Sequence, residues 1–410
     1  MKNKISKTKF LLVLFFLLDV RLMFLLPLPA KMAGDGTNKL LLSVYSIILF
    51  FLFPGSHKLY HGKYTYCLIS LFLIVFLSSV NAYITFGYRV TQVLWPVIPF
   101  CLFLLYFVLM KFLKIERYLR FFLKAGEFFW SMLCILFLIQ RVLYLRSHTI
   151  ILQLNGMLPE YYLWHPELGF RIYSVFEGFL RVFILCLGFI CIKNNFKHCK
   201  SEIISEMLFI ATVVLVDRSR YYLFVLIVGL IAVFLWSSRK SKHCKKYIIA
   251  ALAIVIGLII LNYLRISMSQ SITENTGSSF ARFGAIPYYL NLLKSNFLFG
   301  LSMVSPDKGS RMYYFVHGPS GIFHYDDIGL VGSLAKLGIF ALVWYIYILI
   351  KSIYMVVKTR GKNKALSVGL IIMMLVSSIA QSYLDPQRLM SLLFTFIFIE
   401  LNYSYPQLEY

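Results

Sequence analysis

The residues able to do chemistry are few, and most of them are cations. Asp217-Arg218-Ser219-Arg220 sets two guanidiniums in a short turn between two apolar runs. Guanidinium forks grip phosphate oxygens in pairs, which a lysine ammonium cannot do, so such a turn suits an anion site. The plainer arrangement pairs Asp217 with one arginine and leaves both facing water. Farther along, Arg282 and Arg311 lie in a long polar-flanked segment that also holds His317 and His324-Tyr325-Asp326-Asp327. Histidine titrates near neutral pH, while Asp326 or Asp327 stands where an aspartate caps a helix start. The seven cysteines show no CxxC pair with a second pair to complete a metal site. Most lie within apolar runs and read as small buried hydrophobes. No carboxylate cluster with ligand spacing accompanies them, and no metal or other cofactor is expected.

These residues must be positioned by membrane helices. The chain of 410 residues is 60% hydrophobic and only 14% charged, against about 25% charged in an average soluble domain. Its mean hydropathy is +0.77. That composition excludes both a water-soluble globule and a disordered chain. Apolar runs at about 10–28, 40–53, 66–86, 90–110, 126–145, 172–192, 203–216, 221–237, 247–265, 328–350, 366–384 and 388–402 predict about twelve transmembrane helices. The first run contains Asp19 and Arg21, extends to Leu28 and lacks an A-x-A-like cleavage site, so it reads as a first helix rather than a signal peptide. The expected fold is an all-α polytopic integral membrane protein, one helical domain over 1–410.

Charge sets the expected orientation. The net charge is +24, which in a soluble protein would suggest a nucleic-acid partner. Here it distributes by loop. With the N-terminus cytoplasmic, 24 of the 41 Lys and Arg residues fall on inside segments and 13 on outside ones, Arg265 and Arg388 at the ends of their runs being counted outside. Both termini are then cytoplasmic, and no nucleic acid is expected. Three outside features break the pattern of short loops: residues 146–171, the turn at 217–220, and a large exoplasmic loop at 266–327 between the ninth and tenth spans. Loops longer than about 15 residues are usually functional or disordered, so function is expected on the exoplasmic side.

The ordered set of motifs resembles a family, the O-antigen and capsular polysaccharide polymerases with the related O-antigen ligases. That pattern has a Ser-Arg pair opening a late helix, one further span, and a large exoplasmic loop. The loop has an arginine near its start, a Pro-Leu-x-Gly-like turn, and a histidine with Asn or Asp before a glycine-bearing helix. Ser219-Arg220, Arg282, Phe297 to Gly300, and His324 to Gly338 match these elements in order. Tyr221 follows the Ser-Arg pair in place of a small residue, the turn has no proline, and Asp326 comes one residue late.

The resemblance implies a glycosyltransferase of the bacterial cytoplasmic membrane that joins undecaprenyl-diphosphate-linked oligosaccharide units into capsule, exopolysaccharide or O-antigen. Arg220 and Arg282 would hold the diphosphate, with Arg218 and Arg311 as further candidates. His324 would take the proton of the acceptor hydroxyl, with His317 and Asp327 as fallbacks. No metal is implied, because arginines can stabilise the departing diphosphate. Membrane lipid, a chain-length regulator and a flippase are the expected surroundings and partners. The ligase reading uses the same arginines with a finished glycolipid as acceptor. A flippase or transporter should show repeated halves, and none is visible. Glu177 and Arg181 are spaced as a helical ion pair, and Lys336, two turns into the tenth span, could reach a phosphate or snorkel to the surface. Arg141 and the pair Asp19 and Arg21 read as structural partners.

Overall fold

The computed structural model describes residues 2–20, 35–52, 61–149, 151, 164–165, 169–170, 179–217, 219–237, 277–304, 310, 312–386 and 388–410. Over these the protein is helical, apart from one antiparallel pairing of Trp164–His165 with Gly169–Phe170. Helix follows the apolar runs because a backbone surrounded by apolar groups has to satisfy its own N–H and C=O groups. In chain order the helices are α1 (Lys2–Asp19), α2 (Asp35–Leu52), α3 (Thr65–Phe86), α4 (Val90–Val97), α5 (Leu104–Leu113), α6 (Glu116–Ser147) and α7 (Leu180–Lys193). They continue as α8 (Lys200–Thr212), α9 (Arg220–Ser237), α10 (Gly277–Leu293), α11 (Tyr313–His317), α12 (Gly329–Lys358), α13 (Lys364–Ala380) and α14 (Leu389–Ser404).

Four helices among the described residues are long and apolar enough to cross a membrane: α3, the continuous Val90–Leu113, α6 and α12. Shorter apolar helices occupy Lys39–Leu52, Tyr221–Ser237, Lys364–Ala380 and Leu389–Ser404. Large side chains such as Leu73, Phe76 and Ile84 on α3, and Val343, Ile350 and Val357 on α12, are exposed. Apolar exposure on that scale suits a surface covered by lipid. The expected run at 247–265 lies outside the described residues, as do residues 171–178 at the start of the expected sixth span.

Two expectations about element boundaries need correction. The fifth span is predicted to begin near residue 126, but α6 starts at Glu116 and runs for 32 residues. No glycine or proline interrupts 116–125, and Glu116 sits favourably in the first turn of the helix. The uniform run at 90–110 is also not one regular helix. Pro96 and Pro99 lack the N–H groups an α-helix needs, and Ile98–Phe103 is a 3₁₀ segment between α4 and α5.

Packing centres on phenylalanines contributed by α1, α6, α14 and Phe179, just before α7. Phe179 and Phe394 rings lie 3.9 Å apart, and Phe16 and Phe122 lie 4.8 Å apart. α9 packs against α13 and α7, and α13 also contacts α12 and α14. Beside this core, the buried Glu400 accepts hydrogen bonds from the Lys63 and Tyr64 backbone N–H groups at 2.8 and 3.4 Å. A carboxylate there complements the unpaired N–H groups and positive dipole end at the start of α3.

α12 is broken at Gly338, where φ is 71° and ψ is −165°. The turn Phe297–Gly300 fills the break. Ile339 N–H donates to Phe297 O at 3.1 Å, and Leu301 N–H donates to Ala335 O at 2.7 Å. Both glycines are required: a Cβ on Gly338 would lie 2.0 Å from Leu298 O, and one on Gly300 would lie 2.2 Å from Ala335 O. The sequence element resembling a Pro-Leu-x-Gly turn thus serves as the backbone plug of a broken helix.

Candidate functional site

The chemical residues collect at one end of the bundle, where α9 and α12 begin and α13 ends. α9 opens with Ser219, whose Oγ accepts the Tyr222 N–H at 3.4 Å, the bond of an N-cap. Arg220 therefore occupies the first position of the helix. Tyr221 ties this end to α13, its hydroxyl donating to the Val376 carbonyl and to Ser377 O. The serine of the Ser-Arg pair shapes the helix start, and the side chain of Arg220 lies outside the described part of the structure.

The described parts of 277–328 lie at the same end, with α10 and the 3₁₀ turn Tyr325–Asp327 both packed against α12. α10 carries Arg282 on an exposed face while Ala285 and Tyr289 are buried. The Tyr288 and Tyr289 hydroxyls donate to Phe315 O and Val316 O at 2.8 and 2.6 Å, fixing α11 beside it. His317 Nδ1 donates to Phe323 O at 2.8 Å, since a carbonyl can only accept. The His317 and His324 rings then lie 4.8 Å apart. Desolvation by the surrounding protein, and after it the neighbouring His317, lower the His324 pKa, while Asp327 opposes them. A lowered pKa keeps His324 neutral, and so able to accept a proton, at pH 7.

Asp327 joins the two halves of the cluster. One oxygen lies 3.9 Å from Arg282 and the other accepts from Arg388 Nη2 at 3.2 Å. Arg388 is almost fully buried; its Nη1 donates to Asp326 O at 2.6 Å and lies 3.3 Å from Asp385 Oδ2. The Ser382 N–H donates to the same Asp326 carbonyl at 3.0 Å. Asp326 Oδ1 is buried without a hydrogen-bond partner among the described residues. Burial, and then the nearby Asp385, push its pKa up to about 8, against the pull of Lys336 and Arg388. Asp326 is therefore held mostly protonated at neutral pH.

Two expectations for this region change. Neither aspartate caps α12: its N-cap residue is Ile328, with no side-chain cap. Both precede it in the 3₁₀ turn Tyr325–Asp327, where Arg388 draws Asp327 away. Lys336 does not snorkel. It is buried, donates to Leu384 O at 3.2 Å and lies over the Tyr325 ring at 5.2 Å. Gly332 sits where a Cβ would be 1.8 Å from Tyr325 O, which lets α12 press this close to the 3₁₀ turn.

Of the sequence candidates, Arg282, His324, His317 and Asp327 are brought together. Arg220 opens the helix beside them. Arg218 and Arg311 lie outside the described residues. Arg388 and Asp385 were missed, although two opposite charges in so short a connection between apolar runs are a readable signal. Arg181 also belongs to this end. It is buried, its Nη1 donates to Gln381 Oε1 at 2.6 Å, and its guanidinium lies 4.3 Å from the Tyr222 ring centre. The charges of Arg181 and Arg282 both reach Tyr221, and those of Arg181 and Arg388 both reach Tyr383. The arrangement can therefore hold anionic oxygens beside a neutral imidazole. No protein-family model and no curated protein sequence matches the chain.

Proposed function

We propose that this chain polymerises lipid-linked oligosaccharide repeat units on the outer face of a bacterial cytoplasmic membrane. In this reading about twelve helices cross the membrane, both termini are cytoplasmic, and 266–327 is the exoplasmic loop that meets the substrate. The observation supporting it is the convergence of Arg282, Asp327 and His324 at the end of the bundle where Ser219-Arg220 opens α9. These are the motifs that resemble the polymerase family, and they are separated by more than 100 residues of sequence.

The chemistry asked of the site is a displacement at an anomeric carbon. An acceptor hydroxyl oxygen forms the new C–O bond, the bond from that carbon to the diphosphate breaks, and the hydroxyl proton passes to His324. The departing lipid diphosphate gains negative charge as the bond breaks, and Arg220 and Arg282 stabilise it most in the transition state. Asp327 faces Arg282 without neutralising it, because their 3.9 Å contact is long and partly solvated.

Deletion of the gene followed by analysis of surface glycans tests the reading. Loss of long chains with retention of single repeat units supports a polymerase. Free, unattached polymer would instead indicate a ligase, and absence of any exported unit a flippase.

A further inference from the structure

Arg181 differs from the other cations at this end of the bundle. Arg282 faces Asp327, Arg388 faces Asp327 and Asp385, and Lys336 donates to a carbonyl. Arg181, in the first turn of α7, is 0% exposed; among the described residues it donates to the neutral amide of Gln381, lies over the face of Tyr222 and has no ion-pair partner. Its Nε and Nη2 are buried, and among the described residues neither has a hydrogen-bond partner. A guanidinium cannot shed its proton, and burying one without an acid is costly. Ionisable groups kept inside membrane bundles are rare and commonly mark functional sites, substrate pathways among them.

The geometry also says what the missing partner looks like. Nε–H and Nη2–H lie side by side on one edge of the guanidinium. That edge is the fork that binds two oxygens of one phosphate or carboxylate. Nη1 is already committed to Gln381, and the flat face to Tyr222, so the guanidinium is held in a fixed orientation with its Nε–Nη2 edge unpartnered among the described residues. We propose that Arg181 is a buried phosphate subsite for a lipid-borne phosphate. Under the polymerase reading, on which this inference rests, that phosphate belongs to the diphosphate of a lipid-linked unit. A chain-extending reaction between two such units brings two diphosphates to one site, and the other cations at this end of the bundle can attend to one of them.

The test uses the full chain in phosphatidylcholine nanodiscs. Two probes are compared, undecaprenyl diphosphate and phosphatidylglycerol, and both Kd and the ligand-induced rise in melting temperature are read. Arg181→Met should weaken undecaprenyl diphosphate binding about tenfold or more, the loss expected for a charge-assisted contact. It should also abolish most of the ligand-induced rise. Without ligand the variant should melt no lower than the parent protein, because an uncompensated buried charge has been removed. Arg181→Lys keeps a charge but not the fork and should bind several-fold more weakly while melting like the parent.

Equal binding by both variants overturns the subsite while leaving the polymerase reading standing. A methionine variant that melts well below the parent without ligand assigns Arg181 a structural role and overturns it too. So does parental binding by the double variant Glu177→Gln/Arg181→Gln, which would mean that Arg181 only neutralises Glu177. Dependence on Arg181 seen with phosphatidylglycerol alone makes the ligand a phospholipid headgroup and overturns the substrate assignment. A parent protein that binds no undecaprenyl diphosphate overturns both this inference and the function it rests on.

Discussion

Arg388→Met removes the buried cation that joins Asp326, Asp327 and Asp385, while approximately preserving side-chain length. The Arg388 and Asp385 side chains are only 5% and 8% exposed, so losing the cation in direct contact with the Asp385 charge dominates, at about 3 kcal/mol. Asp327 is 35% exposed; water takes over much of its charge, and its share is under about 1 kcal/mol. The Asp326 carbonyl keeps the Ser382 N–H, so losing its second donor costs at most about 1 kcal/mol. Together these give about 4 kcal/mol. Thermal unfolding of the purified protein in detergent, followed by tryptophan fluorescence, should show a clear fall in midpoint. The double variant Arg388→Met/Asp385→Asn should recover a large part of it, because the cost lies in the Asp385 charge losing that cation and the two changes are coupled. A single variant that melts like the parent, or a double variant that melts as low as the two losses added, would refute the assignment of Arg388 as the centre of this network.

Three further outcomes follow from the same geometry. His324→Ala should lower turnover by about 10²–10⁴-fold, the range for a positioned base, with little change in binding of the lipid-linked substrate; a defect confined to binding would remove His324 from the chemistry. Gly338→Ala forces a side chain into a region of φ and ψ that only glycine tolerates, about 1–3 kcal/mol, and drives the Phe297–Gly300 turn off α12, so folded yield should drop sharply; parental yield and melting would mean that the break is not there. Asp326, raised to about 8 from about 4 in an unfolded chain, stays protonated in the fold over that interval while the unfolded carboxyl ionises. Its contribution is fully present below about pH 4, falls as pH rises, and is gone above about pH 8. Asp326→Asn should flatten the decline in melting temperature between pH 5 and 9, and an unchanged slope would show that another group titrates there.

The helical class and most helix positions were legible because lipid imposes one secondary structure on any long apolar run. The run at 66–86 became α3 at Thr65–Phe86, and that at 328–350 became the first part of α12. Less legible was anything decided by a distant partner. The break at Gly338 depends on backbone groups of residues 297–301 that plug it, and nothing within the apolar run announces them. Asp326-Asp327 has the local appearance of a cap, yet Arg388 lies some 60 residues away and competes successfully for Asp327. Lys336 read locally as a residue that could reach the surface, whereas Tyr325 and Leu384 give it a buried seat. Within the site, Arg282 and His324 were readable from type and order. Arg388 and Asp385 are signalled in the sequence only by their opposite charges in a short connection between apolar runs, and the spacing of Arg181 from Glu177 reads as a plain helical ion pair.

The central claim concerns a reaction, and reconstitution tests it most directly. The purified protein in lipid vesicles is given its lipid-linked repeat unit in the presence of a chelator, and the products are separated by size. A ladder of oligosaccharides growing by whole repeat units, absent with Arg282→Ala and His324→Ala, is the predicted result. Unaltered single units after prolonged incubation with correctly folded protein, or a ladder of parental length and yield from both variants, would contradict it.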